Sequence, residues 1–231
     1  MDIKIRDFKM TFSIRFVALA ALFITCLITA NILIVKQIAI GNILIPAAII
    51  IFPISYICGD VLTEVYGYKQ ARLVIWLGFI CNLIAVIAFW IGGLLPPAPV
   101  FEAQSAYERI LGNTPRFLAA SFAAYLAGEF ANSFVLARMK VATRGRWLWT
   151  RTIGSTLAGQ GIDTVIVLTI AFVGVLPSSV LGIMILGHWL LKSAYEIIAT
   201  PLTYVVVNYL KRKENIDVYD YKTNFNPFII G

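Results

Sequence analysis

Six separate apolar stretches, each about twenty residues or longer, constrain this chain more than any other feature. At 1.5 Å per residue, a helix of that length matches the roughly 30 Å hydrocarbon core of a bilayer. The stretches run from Phe12 to Val35, Ile43 to Leu62, Ala71 to Leu95, Arg116 to Met139, Thr152 to Leu176 and Ser179 to Leu210. Hydrophobic residues make up 60% of the 231 positions and charged residues 13%, about half the quarter usual in soluble domains. A soluble fold of this size would need more polar residues to cover its surface. The expected fold class is all-α, a six-helix polytopic transmembrane bundle. It fills residues 1–231 as one domain with short tails and has the lipid bilayer as its surroundings.

Breaks between the stretches are well marked. Gly67 separates the second from the third, and Pro96-Pro97-Ala98-Pro99 cannot continue a helix. Gly145 and Pro177 punctuate the last two connections. The final stretch is longer than the bilayer core, so it has to tilt, kink or protrude, with Pro201 as the natural kink. The basic N-terminus before an apolar run resembles a signal peptide. The run is long enough to span and ends without an A-x-A site, so a retained helix is expected.

Charge sets the expected orientation. The N-terminal segment carries Lys4, Arg6, Lys9 and Arg15, and the second loop carries Lys69 and Arg72. The fourth loop carries Arg138, Lys140, Arg144, Arg146 and Arg151, and the tail carries Lys211, Arg212, Lys213 and Lys222. Those fifteen fall on one side of the membrane, against Lys36, Arg109 and Arg116 on the other. Both termini are therefore expected in the cytoplasm. The net charge of +7 is loop charge and makes no continuous stripe, which argues against nucleic acid as a partner. Cys26, Cys58 and Cys81 all lie in apolar runs without a CxxC or a nearby His, so neither a disulfide framework, a metal site nor a cofactor is expected.

Ionisable residues inside the runs point to function, because a charge at mid-membrane costs about 2.5–3.5 kcal/mol on insertion scales. Glu129 and Asn132 are spaced i, i+3. Thr156, Gln160 and Asp163 fall at i, i+4 and i+7. His188, Lys192 and Glu196 fall at i, i+4 and i+8. Each set makes one stripe on its helix, and three stripes can converge on a polar cavity. Glu129, Asn132, Gln160 and Asp163 are the expected substrate-binding residues. Asp60, Lys192 and Glu196 line the path or form a structural ion pair, with Lys192 held by Glu196 or by a carboxylate of another helix. Glu64 is placed at the cytoplasmic interface near Lys69 and Arg72. The balance is acidic, which suits a cation, a coupling proton or a solute rich in N–H donors. The hydroxyls of Ser155, Thr156 and Thr164, the amide of Asn82 and the lone His188 read as helix-to-helix hydrogen bonds. Phe130, Phe134 and Tyr195 are candidate stacking rings.

Several of these segments together resemble one family. They are Gly59-Asp60-Val61-Leu62-Thr63-Glu64-Val65-Tyr66-Gly67, Gly128-Glu129-Phe130-Ala131-Asn132-Ser133, Arg151-Thr152-Ile153-Gly154-Ser155-Thr156, Gln160 to Asp163-Thr164, and Lys192 to Tyr195-Glu196 with Thr200-Pro201-Leu202-Thr203. In that order they look like the queuosine precursor transporter family, also called the vitamin uptake transporter family. The resemblance covers about Asn31 to Lys213. It implies a bacterial inner-membrane importer of 7-deazaguanine bases, namely queuine or its aminomethyl- and cyano-deazaguanine precursors, salvaged for tRNA modification. It also implies an architecture similar to the S components of energy-coupling-factor transporters. Asp60, Glu64, Glu129, Asn132, Arg151, Gln160, Asp163, Lys192 and Glu196 stand at motif positions.

Three rival classes are weighed against this reading. A carrier of another vitamin or nucleobase could use the same fold. An intramembrane serine hydrolase could use Ser155 and His188, although no GxSG-type motif is present. A passive channel or scaffold would not need a compact cluster of acids and amides. The chain has no P-loop, so ATP hydrolysis would have to come from an external energising module. Proton coupling, such a module, facilitated entry and homo-oligomerisation all stay open from sequence.

Overall fold

A computed structural model describes residues 12–40, 43–112 and 115–229. The helices are α1 (Ile14–Leu33), α2 (Phe52–Val61), α3 (Tyr68–Leu94), α4 (Gln104–Leu111), α5 (Pro115–Ala142), α6 (Leu148–Phe172) and α7 (Ser178–Glu214). Six of them form the bundle. The short α4 sits between α3 and α5, where sequence suggested only a loop, and Tyr107 ties it back through a bond to the Phe89 carbonyl. Helices α1, α3, α6 and α7 are long and apolar enough to cross a membrane by length and composition. Their outward faces are apolar: Ile84, Ile87, Ile91 and Leu94 make an exposed stripe on α3, and Ile183, Ile198, Leu202 and Val205 are exposed on α7. An apolar face of this extent belongs against lipid rather than water.

The second stretch departs from expectation. The helix expected from Ile43 begins only at Phe52, because β1 (Gln37–Ile40) and β2 (Ile43–Pro46) pair as an antiparallel hairpin. Alternating Ile38, Ile40, Ile43 and Ile45, with Gly41-Asn42 between the runs, are hairpin signals that bulk hydropathy hides. Helix α2 compensates at its other end. It continues through a π-turn from Leu62 to Tyr66 and stops at Gly67, whose φ of 83° and ψ of 167° suit glycine almost alone. The fifth stretch lies a few residues earlier than expected, and the sixth forms one helix of 37 residues that runs through Pro201. Lys4, Arg6 and Lys9 of the orientation argument lie outside the described residues.

Consecutive bundle helices alternate in direction, so most of the basic residues gather at one end. There Ser13 caps α1 and donates to Glu214 at the end of α7 (2.6 Å). At the other end Arg116 donates to the carbonyls of Ile170 and Val173, closing the last turn of α6. The two halves differ in content. Toward the basic end, Phe16, Phe23, Val61, Leu62, Val65, Val74, Leu148 and Val207 pack into a dry core. Helices α5 and α6 cross closely at Gly128 and Gly159. A Cβ on Gly159 would lie 2.7 Å from Asn132 Cβ, and one on Gly128 would lie 2.9 Å from Asp163 Cβ. The glycines thus bring Asn132 and Asp163 from two helices to one crossing.

The tail after Asn215 is not a free appendage. It folds back over α3 and α5. Tyr68 N donates to Asp220 Oδ2, Arg72 donates to the carbonyls of Asn224 and Asn226, and Trp76 donates to that of Pro227.

Candidate functional site

The cavity of interest lies in the half of the bundle away from the basic end. Its wall takes Leu27 and Asn31 from the last half of α1, Ile34 just beyond its end, Phe52, Ser55 and Tyr56 from α2, and Asn82 from α3. Phe117, Ser121, Tyr125 and Glu129 come from α5, Asp163 and Val167 from α6, and Lys192 from α7. Ile34, Phe52 and Phe117 stand near helix ends and form its rim. Glu129 and Asp163, at mid-helix, form its floor.

Glu129 is buried against α2, where a Cβ on Gly59 would come within 3.3 Å of its Oε2. That oxygen has no hydrogen-bond partner among the described residues. Asp163 is different, because Lys192 Nζ donates to its Oδ2 at 2.7 Å. The same ammonium lies 4.8 Å from the centre of the Phe52 ring, a cation–π distance. One wall therefore offers a bare carboxylate, and the facing wall offers a neutralised pair over an aromatic ring. Among the described residues no ion pair joins Lys192 to Glu196, which is buried one turn further along α7. The carboxylate from another helix is the one that holds Lys192.

The other expected residues sit beneath this floor rather than in its wall. Asn132 is fully buried and donates from Nδ2 to Asp60 Oδ1 at 2.8 Å. Asp60 Oδ2, Asn132 Oδ1 and Gln160 Oε1 are buried without hydrogen-bond partners among the described residues. Buried polar atoms in that state are expensive, and functional sites are where proteins retain them. The proposed stacking rings move out of the site. Phe130 packs on Trp76, Phe134 on Phe225 of the tail, and Tyr195 is exposed on the outer face. Phe130 directly follows Glu129, so it points about 100° away around the helix. The rings that do line the cavity are Phe52, Tyr56, Phe117 and Tyr125.

Asn82, read from sequence as helix packing, has a second role. Asn82 accepts from Asn31 Nδ2 at 3.0 Å, tying α3 to α1, and both amides line the cavity. Their polarity inside apolar runs was the available signal. Ser155 donates to the Thr152 carbonyl of its own helix at 3.0 Å, and no hydrogen bond joins it to His188 among the described residues.

Glu64 needs correcting. It is fully buried, and its partners are not Lys69 and Arg72. Arg151 grips it with Nε to Oε2 and Nη2 to Oε1, both 2.8 Å, and Lys211 Nζ lies 2.6 Å from Oε1. Lys140 Nζ lies 3.6 Å from the carboxylate and donates to the Glu64 carbonyl.

The Lys192–Asp163 pair gives a direct expectation. Their side chains are 26% and 15% exposed, so solvent screens the pair only in part. Lys192→Ala should lower stability by about 1–2 kcal/mol by stranding Asp163. Lys222→Ala, on an exposed tail residue, should cost less than about 0.5 kcal/mol. Lys211→Ala would not give that comparison, because Lys211 belongs to the Glu64 cluster. Thermal unfolding of the two purified variants beside the parent measures the difference.

An acidic cavity held between apolar-backed helices defines a membrane carrier for a small solute. The family model described as "Putative vitamin uptake transporter" matches residues 46–206, and the chain belongs to that family. A Bacillus subtilis (strain 168) protein named "Probable queuosine precursor transporter" is 28% identical over 190 residues, covering 81% of this chain and 82% of the relative. No solved structure matches significantly. Membership makes the chain a membrane transport protein and favours transport over catalysis.

Proposed function

We propose that this chain imports queuosine precursors across the cell inner membrane, with both termini in the cytoplasm and the cavity facing outward. The substrates in this reading are 7-deazaguanine bases, namely queuine or the aminomethyl- and cyano-deazaguanines, destined for tRNA modification. The observation that carries it is the bare Glu129 carboxylate on the cavity floor facing the Lys192–Asp163 pair. A deazaguanine presents adjacent ring N–H and amino N–H groups, and a carboxylate accepts both in parallel. Lys192 and Asp163 supply a donor and an acceptor for the remaining polar edge. Phe52, Tyr56 and Phe117 suit a flat ring. An aminomethyl group would add a cation, which the acidic floor favours.

Asn132, Gln160 and Asp60 support the floor in this reading, and Asn132 holds Asp60 in place beneath Glu129. The same fold could carry another vitamin or nucleobase, so the experiment has to separate them. The chain is expressed in cells that lack their own queuosine synthesis and import, and queuosine in tRNA is measured after feeding each base. Queuine or a precursor should restore the modification, and an excess of guanine or of unrelated vitamins should not reduce the amount restored. Absence of queuosine with every base would overturn the substrate assignment.

A further inference from the structure

One helix line connects the cavity to the tail. Along α2 and its π-turn, Tyr56 lines the cavity and Gly59 backs Glu129. Asp60 then takes the Asn132 bond, and Thr63 donates to Ser133 at 3.1 Å. Glu64 follows with its three cations. The π-turn leaves carbonyls that a regular helix end would have to satisfy another way. Here the Glu64 carbonyl is taken by Lys140 Nζ and the Val65 carbonyl by the tail amide of Val218 (3.2 Å). Short π segments inside α-helices frequently mark functional sites.

The tail is joined to the same cluster by charge. Asp217 Oδ1 accepts from Lys140 Nζ at 2.6 Å and lies 2.9 Å from Lys211 Nζ. Both lysines therefore bridge Glu64 on α2 and Asp217 on the tail. Partial burial pushes the Asp217 carboxyl up, but the hydrogen bonds from Lys140 and Lys211 outweigh it and hold the group below its usual range. It thus stays ionised and paired at neutral pH. Its side chain is 42% exposed, so water can replace these bonds where it cannot replace those of Glu64.

The seat for the tail is built into the loops. A Cβ on Gly67 would lie 2.7 Å from Val218 Cγ1, and one on Gly145 would lie closer still to the Tyr219 hydroxyl. Both glycines have positive φ, 83° and 75°, so each serves its own turn and the approach of the tail together. Lys140 also lies 4.6 Å from the centre of the Tyr219 ring.

We propose that residues 215–229 and the Glu64 cluster form a latch that shuts the cytoplasmic side of the cavity and must release for solute to leave inward. The proposal rests on the importer reading for its direction. Closure uses the dry core, the Asp60–Asn132 and Thr63–Ser133 bonds, and the ion cluster as successive layers. The tail is the layer water can reach, so it is where release begins. Undocking it strips Lys140 and Lys211 of one carboxylate and frees the Val65 carbonyl. The π-turn is then the segment that can shift.

Labelling of a buried reporter tests this without any substrate. Ser133→Cys, at a fully buried position between the cavity floor and the cluster, is introduced into the full chain after Cys26, Cys58 and Cys81 are replaced by alanine. A membrane-impermeant maleimide is added from the face that carries the tail. Asp217→Asn should speed labelling about ten-fold, as weakening one charge-assisted contact of the closed state implies, and truncation after Asn215, which also removes the bonds to Tyr68, Arg72 and Trp76, should speed it further. Glu102→Ala, at an exposed residue outside the latch, should leave the rate unchanged. Unchanged labelling in both tail variants, or a gain seen only from the opposite face, would overturn the latch. If the truncated chain fails to accumulate, Asp217→Asn decides alone. Faster labelling without any deazaguanine uptake would keep the latch and remove the substrate reading, so the two fail separately.

Discussion

Glu64→Ala is expected to destabilise the folded chain by about 3–5 kcal/mol, the cost of breaking a buried pair and leaving its partners uncompensated. The residue lies at the centre of Arg151, Lys140 and Lys211, and its removal would leave three cations around one apolar-sized gap. Arg151 suffers most, because its side chain is almost fully buried and two of its donors point at the missing carboxylate. Its third bond, to the Arg146 carbonyl, survives. Glu64→Gln keeps the shape and one acceptor, so it should fall between the parent and the alanine variant. Thermal unfolding in detergent gives the order directly. A midpoint for Glu64→Ala equal to that of the parent would mean that the cluster contributes nothing net.

The second large effect concerns affinity. Glu129→Gln should weaken deazaguanine binding by about 1.5–3 kcal/mol, roughly ten- to a hundred-fold, since it exchanges a charge-assisted acceptor for a neutral amide. The fold should tolerate the change, because Glu129 Oε2 holds no partner that the amide would lose. Ser155→Ala is the matched control: a buried hydroxyl bonded only to its own helix. Unchanged affinity is expected there. Ser155→Ala would abolish function if the chain were a serine hydrolase, so the same protein tests that rival. Asn82→Ala cannot serve as a packing control, because Asn82 lines the cavity.

Local spacing made part of this site legible. Glu129 and Asp163 are costly in an apolar run, and the cost alone sends them inward. Their helical stripes then meet across the Gly128–Gly159 crossing. Asn132 and Gln160 share those stripes and reach the interior, but one turn below the cavity floor, a depth that angular position does not encode. Sequence proximity points Glu64 to Lys69 and Arg72, its neighbours along the chain. Its real partners are Lys140, Arg151 and Lys211, on α5, α6 and α7, and Arg72 is spent on the tail. The hairpin at Gln37–Pro46 was hidden for a different reason. Its five isoleucines and leucines read alike to a hydropathy window whether they alternate or not, and only the period distinguishes a strand. The tail carries no apolar periodicity at all. Its anchors are main-chain groups and two aspartates, Asp217 and Asp220, and composition cannot show that they have a seat.

Transport by the purified chain tests the central claim most directly. The protein is reconstituted into liposomes, and entry of radiolabelled queuine is followed over time beside protein-free liposomes and the Glu129→Gln variant. The account predicts saturable entry with the parent, competition by unlabelled aminomethyl-deazaguanine, and entry near the protein-free rate with Glu129→Gln at low queuine. Entry through the parent no faster than through protein-free liposomes, or a Glu129→Gln variant with the parent's rate and saturation, would contradict it.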